Sequence, residues 1–235
     1  MWTLESFTAA VEGKLIVSCQ APTGHPLRDT ATIVHLALAA QLGGATAIRC
    51  GGYGGLADIS AVVDAVTVPV IGLTKEGRSG VVITPTVASA VAVAEAGATI
   101  VAIDATGRDR PDGSMIADSI DAVHQAGAFV MADIATLIDG ESAIQAGADI
   151  LSTTLSGYTD DSPVGPEPDV SLIGALRHAF PDAVITAEGR YHRPGQAAAA
   201  IQAGATAVIV GTAITDAVWI TRQFVHDVTE AASRV

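Results

Sequence analysis

The chain has 235 residues, of which 49% are hydrophobic and only 16% charged, with a formal net charge of −13. That acidity excludes non-specific nucleic-acid binding, which needs a basic surface, and obliges an anionic ligand to find a local positive site. Aromatics make up 4%, so the core must be built from Ala, Val, Ile and Leu, the material of parallel strands covered by helices on both faces.

The opening Met1-Trp2-Thr3-Leu4-Glu5 has neither the basic nor the apolar region of a secretion signal. Asp, Thr, Gly and Pro break each apolar run before it could span a bilayer. A cytoplasmic protein with no membrane contact is the expectation. The first buried strand is read at Leu15–Cys19 and the first helix at Thr30–Leu42. A short phrase then recurs: Gly43-Gly44-Ala45, Ala96-Gly97-Ala98, Ala126-Gly127-Ala128, Ala146-Gly147-Ala148 and Ala203-Gly204-Ala205. Each copy follows an Ala-rich segment of helical period and precedes a short apolar or β-branched run. Glycine in the left-handed C′ position stops a helix, and small neighbours let the chain turn at once. Each copy therefore marks a helix-to-strand joint.

Read this way, the later strands are Ala45–Cys50, Val68–Leu73, Thr99–Ile103, Ala128–Ala132, Asp149–Thr153, Ala183–Ala187 and Thr206–Val210. The helices between and after them are Leu56–Val66, Thr86–Glu95, Met115–Gln125, Leu137–Gln145, Val170–Ala179, Gly195–Gln202 and Ile214–Ala232. Eight strands alternating with eight helices predict one α/β domain over 1–235, a (β/α)8 TIM barrel. The open doubly wound alternative lacks its Gly-x-Gly-x-x-Gly loop after the first strand. The one long loop, Ser156–Asp169, suits an active-site lid and a surface excursion equally. Cys19 and Cys50, at the ends of neighbouring strands, are read as free thiols of a reducing compartment.

The C-terminal ends of barrel strands are where chemistry sits. Those ends collect Ser18 and Gln20, Arg49, Lys75, Asp104, Asp133, Thr153 and Thr154, Glu188 and Arg190, and Gly211 and Thr212. Simple strand termination accounts for Ser18 or Thr154. It accounts poorly for Arg49, Lys75, Asp133 and Glu188, because charges are scarce and these follow buried runs. Lys75 is one of only two lysines. A desolvated lysine loses affinity for its proton, so it can remove a proton α to a carbonyl or attack the carbonyl itself. The alternative is a structural lysine paired with Asp104 or Asp133. Glu188 is read as a second acid/base group or as the counter-ion of Lys75. Gly189, Arg190, Gly211 and Thr212 lie in the loops after strands seven and eight, where many barrels cradle a phosphate.

Several phrases then point one way: Leu15-Ile16-Val17-Ser18-Cys19-Gln20, Ala47-Ile48-Arg49, Pro69-Val70-Ile71-Gly72-Leu73-Thr74-Lys75, Ala102-Ile103-Asp104-Ala105-Thr106-Gly107-Arg108, Met131-Ala132-Asp133, Ser152-Thr153-Thr154-Leu155-Ser156-Gly157-Tyr158-Thr159, Ala187-Glu188-Gly189-Arg190-Tyr191 and Val210-Gly211-Thr212-Ala213-Ile214-Thr215. With them the chain resembles the N-acetylmannosamine-6-phosphate 2-epimerases of sialic-acid catabolism (the NanE family). The resemblance implies interconversion of N-acetylmannosamine 6-phosphate and N-acetylglucosamine 6-phosphate without a metal or other cofactor. It implies that Lys75 is the acid/base at C2, that Glu188 assists, that Gln20, Arg49 and Asp133 contact the sugar, and that Gly189, Gly211 and Thr212 hold the phosphate. Barrels of this family often pair, which suggests a homodimer, with Trp219 and Phe224 of the last helix packing in the interface or inside the monomer.

The chain departs from the family pattern in three places: Asp216 and Glu76 replace residues that are usually basic, and Cys50-Gly51-Gly52-Tyr53-Gly54-Gly55 is unusually glycine-rich. Other sugar-phosphate isomerases, a Schiff-base aldolase, or a non-catalytic sugar-phosphate-binding protein on the same barrel are the alternatives.

Overall fold

Eight parallel strands close on themselves in chain order. The computed structural model describes residues 2–234. Its elements are α1 (Leu4–Val11), β1 (Lys14–Cys19), α2 (Thr30–Leu42), β2 (Ala47–Gly52), α3 (Gly55–Ala65), β3 (Val70–Thr74), α4 (Val87–Glu95), β4 (Ile100–Asp104), α5 (Ile116–Gln125), β5 (Phe129–Asp133), α6 (Leu137–Gln145), β6 (Ile150–Ser152), α7 (Val170–Ala179), β7 (Val184–Ala187), α8 (Pro194–Gln202), β8 (Ala207–Val210), α9 (Thr212–Thr215) and α10 (Ala217–Ser233). The fold is the (β/α)8 barrel expected from the sequence. Among the described residues, no helix is long and apolar enough to cross a membrane.

The repeated phrase acts as anticipated. Gly44, Gly97, Gly127, Gly147 and Gly204 all have φ between +82° and +107°. At the first joint the Gly44 N–H donates to Gln41 O, and the Ala45 N–H reaches back to Ala40 O. That pair of bonds satisfies carbonyls the helix would otherwise leave open. Strands after the first start one or two residues later than the sequence pattern suggests; at the five glycine joints the residues just past the glycine complete the turn.

Alternation along each strand divides the apolar residues into two cores. Val17, Cys19, Ile48, Val70, Val101, Val130, Leu151, Ile185 and Val208 face outward under the helices. Ile16, Ala47, Ile71, Leu73, Ile100, Met131, Ile150 and Ile209 fill the barrel interior. Cys19 and Cys50, both free and buried, lie side by side in register on the outer face. Burial pushes the Cys19 thiol up to about 12.

Two elements differ from the sequence reading. Helix α1 precedes the first strand, and its Phe7 and Val11 join the interior cluster, both fully buried. Thr3 starts it by accepting from the Ser6 N–H. The last helix is also two helices. Asp216 leaves helical geometry at φ −100° and ψ 90°, and its carboxylate accepts from the Trp219 N–H to start α10.

Candidate active site

The same alternation that fills the barrel aims the polar residues at its C-terminal mouth. Inward positions continue from Ala47 to Arg49, from Ile71 and Leu73 to Lys75, from Met131 to Asp133, from Val184 and Thr186 to Glu188, and from Ile16 and Ser18 to Gln20. They meet beneath a cavity of about 590 Å³ walled by Gln20, Lys75, Thr154, Glu188 and Gly211 among others. That volume suits a small-molecule ligand.

Below the cavity lies an ionic floor. Arg49 binds Asp133 through two parallel contacts, Nη1–Oδ1 at 3.0 Å and Nη2–Oδ2 at 2.6 Å. Nη1 also lies 3.0 Å from Glu188 Oε2. Thr154 Oγ1 bridges the two acids, 2.6 Å from Asp133 Oδ1 and 3.0 Å from Glu188 Oε2. Arg49 and Asp133 make up this floor. They are 1% and 0% exposed, and neither forms part of the cavity wall. Two opposite charges in fork geometry can be buried together at tolerable cost, whereas either alone could not. Glu188 and Thr154, which they contact, line the cavity directly above them. Thr154, which strand termination alone would explain, contacts both acids and lines the cavity. Its only sequence signal was its place in the Thr153-Thr154-Leu155 phrase, which folds as a 3-10 turn directly after β6.

Glu188 has its Oε2 held from below, while Oε1 has no protein partner among the described residues. Burial pushes its proton affinity up against the pull of Arg49, and Asp133 adds to the rise. Burial lowers that of Lys75, and Arg49 lowers it further, against Glu188 and Asp133. For Arg49, burial opposes the charge, but Asp133 and Glu188 outweigh it and hold the guanidinium ionised. The structural pairing considered for Lys75 does not form. Asp104 is bound by Arg108 at 2.7 Å, Asp133 by Arg49, and Lys75 Nζ instead sits 5.4 Å from the centre of the Tyr53 ring.

Gln20 donates from Nε2 to Ser18 Oγ at 2.9 Å, and its buried Oε1 has no partner among the described residues. On the β7–β8 side, Gly189 and Arg190 form a left-handed pair with φ of 102° and 62°. The Arg190 guanidinium donates to Ser156 O and Glu167 O and covers the Tyr158 ring at 5.4 Å. Its charge thus clamps the Ser156–Asp169 loop, while its Nη2, which makes no hydrogen bond among the described residues, and its backbone N–H remain for a ligand. Gly211 packs closely on β1, where a Cβ would lie 3.2 Å from Ser18 Cβ, and Thr212 opens the single turn of α9. The backbone N–H groups of Gly189, Arg190, Gly211 and Thr212 have no protein acceptor among the described residues. Asp216, at the edge of the cavity, accepts from Trp219 N–H at 2.9 Å and faces His25 Nε2 at 3.2 Å. Asp216 therefore starts α10 and pairs with the loop after β1.

A family described as "Putative N-acetylmannosamine-6-phosphate epimerase" matches residues 33–230. A Corynebacterium glutamicum protein named "Putative N-acetylmannosamine-6-phosphate 2-epimerase" is 53% identical over 216 residues, covering 92% of this chain and 93% of its own. One of the same name from Cutibacterium acnes is 46% identical over 218 residues, covering 92% and 94%. Among solved structures, the N-acetylmannosamine-6-phosphate 2-epimerase from Clostridium perfringens superimposes with a TM-score of 0.89 at 36% identity, covering 93% of this chain and 95% of its own. The chain belongs to the N-acetylmannosamine-6-phosphate epimerase family.

Proposed function

We propose that the protein interconverts N-acetylmannosamine 6-phosphate and N-acetylglucosamine 6-phosphate, a step of amino-sugar catabolism. The observation that carries this reading is Lys75 without an ionic partner among the described residues, on the same cavity as Glu188. The C2 hydrogen becomes acidic once the sugar opens and C2 lies α to the C1 aldehyde. Neutral Lys75 Nζ takes that proton, and negative charge develops on O1 as the enolate forms. The ammonium just created and the buried cation of Arg49 favour this charge, which is the electrostatic part of catalysis. A proton then returns to the opposite face of C2, and closure of the ring gives the epimer. Glu188 serves as the second acid/base group, through its unpartnered Oε1.

Gln20 supports orientation of the sugar by offering a buried acceptor at Oε1. The backbone N–H groups of Gly189, Arg190, Gly211 and Thr212 suit the 6-phosphate. Holding that remote group offsets part of the cost of opening and orienting the sugar. Arg49 and Asp133, at the floor of the cavity, hold Glu188 in place and are the further candidates for contact with the sugar.

The test is proton NMR of N-acetylmannosamine 6-phosphate in D2O with enzyme. Loss of the C2 proton signal and growth of the other epimer are expected. Lys75→Ala abolishes both while circular dichroism stays unchanged. Normal turnover by that variant would overturn the assignment, and borohydride capture of substrate on Lys75 would replace proton abstraction by a Schiff-base route.

Two coarser features complete the reading. The two free buried thiols suit a reducing compartment, and we place the enzyme in the cytoplasm. We also propose a homodimer built on α10. Trp219 packs within the chain, its ring 4.6 Å from that of His192. Phe224, Val225 and Val228 remain exposed, and no residue of α10 is buried.

A further inference from the structure

Lys75 Nζ has neither a salt bridge nor a hydrogen bond among the described residues, yet an aromatic ring lies across it. The loop that carries this ring is built to hold one position. The Lys75 N–H donates to Gly52 O at 3.0 Å, and the Gly54 N–H to Gly51 O at 3.1 Å. A tight turn is thus bonded directly to the residue it covers. Gly51 and Gly52 have φ of +103° and +59°, which side chains resist. A Cβ on Gly51 would strike Leu73 O, one on Gly52 would strike Gln20 Oε1, and one on Gly54 would strike the Asp58 carboxylate. Asp58 is itself fixed by Arg28, at 2.6 and 2.8 Å, and by the Thr30 hydroxyl at 2.7 Å. The turn therefore sets Tyr53, 50% exposed, where the main cavity meets a side groove of about 320 Å³ bordered by Leu56, Glu76 and Ser89.

We propose that Tyr53 is a positioning residue for Lys75, its ring face attracting the ammonium form and screening the amine from the side groove. The electron-rich face of an aromatic ring favours a cation above it. When Lys75 takes a proton from substrate, the ammonium forms where that face already lies. The other charges acting on it are Arg49 from β2, Asp133 from β5 and Glu188 after β7. Glu76, next in the chain, is turned to the Thr74 hydroxyl at 2.7 Å. The inference deepens the assignment of Lys75 as the proton carrier, but its test does not need activity.

Only two lysines occur, Lys14 and Lys75, so protein labelled at lysine Cε gives two titrating NMR signals, assigned with Lys14→Arg. Tyr53→Leu keeps an apolar cover but removes the aromatic face. It is expected to lower the Lys75 pKa by about half a unit. Tyr53→Phe keeps the face and leaves the titration where it is. The pH limb of C2-proton exchange moves with the NMR value in both variants. A Tyr53→Leu titration that coincides with the parent, or moves upward, overturns the proposal. A Tyr53→Phe curve that follows Tyr53→Leu overturns it too, since the hydroxyl would then be the active feature. A shift seen in a protein that fails to exchange C2 protons would uphold this inference while sinking the epimerase reading.

Discussion

Burial lowers the proton affinity of Lys75 and raises that of Glu188, so the two are driven toward each other. That convergence suits a pair that must both hold and release protons near neutrality. Its sign for Lys75 is definite. A lowered pKa means the neutral amine is present at lower pH than for an ordinary lysine, and C2 exchange should rise with pH through that value. Glu188 is one of the charges that oppose the lowering. Glu188→Gln removes it, so the rising limb should move to lower pH, while the exchange rate falls about 10²–10⁴-fold through loss of the second acid/base group. Rates measured across pH in D2O decide the matter, and a limb that moves upward would contradict the coupling. At this scale the sequence showed which residues come together, because period-two alternation from buried strands aims Arg49, Lys75, Asp133 and Glu188 inward. It did not show their depth. How deep an inward charge sits depends on which partner it finds across the barrel, and Arg49 finds Asp133 on a strand three places away.

The elements divide the work between the two ends of the barrel. Helix α1 closes the end remote from Lys75, with Phe7 fully buried among Ile16, Ala47, Ile100 and Ile209 in the interior cluster. Phe7→Ala should cost about 3–5 kcal/mol of stability, read as a lower urea midpoint. The C2 exchange rate of the folded protein should stay as it was. Comparable loss of exchange in folded Phe7→Ala would show that the bottom plug shapes the top site. The α1 plug escaped the sequence reading because no Ala-Gly-Ala joint announces it, and eight residues with two core contacts give little periodic signal. The barrel strands were legible for the opposite reason: five of the joints carry the same left-handed glycine, so the same chemistry recurs along the chain. The break in the last helix was hidden because helical periodicity runs straight through Asp216. The non-helical backbone of Asp216 and its carboxylate's bond to the Trp219 N–H show that a new helix starts there.

At the scale of the whole molecule, an apolar stripe and an acid surface act against each other. Phe224 and Val228 stand one helical turn apart on α10, 69% and 68% exposed, with Val225 beside them. Apolar residues so grouped on a helix with no buried position are the kind of patch that a partner covers. A second copy of the chain meeting it about a two-fold axis would cover both stripes at once. Each copy carries a formal charge of −13, so association works against mutual repulsion, and added salt should strengthen it by screening. Light scattering should therefore give twice 23.6 kDa at physiological ionic strength, with dissociation favoured as salt is withdrawn. Phe224→Glu combined with Val228→Glu removes the apolar contact and adds like charge, and should leave 23.6 kDa particles at every salt concentration. Among the described residues none of α10 lines the cavity, so these monomers should still exchange the C2 proton. A parent protein that stays at 23.6 kDa at high concentration and salt would refute pairing through α10. Loss of exchange in a folded double variant would instead mean that the partner completes the site.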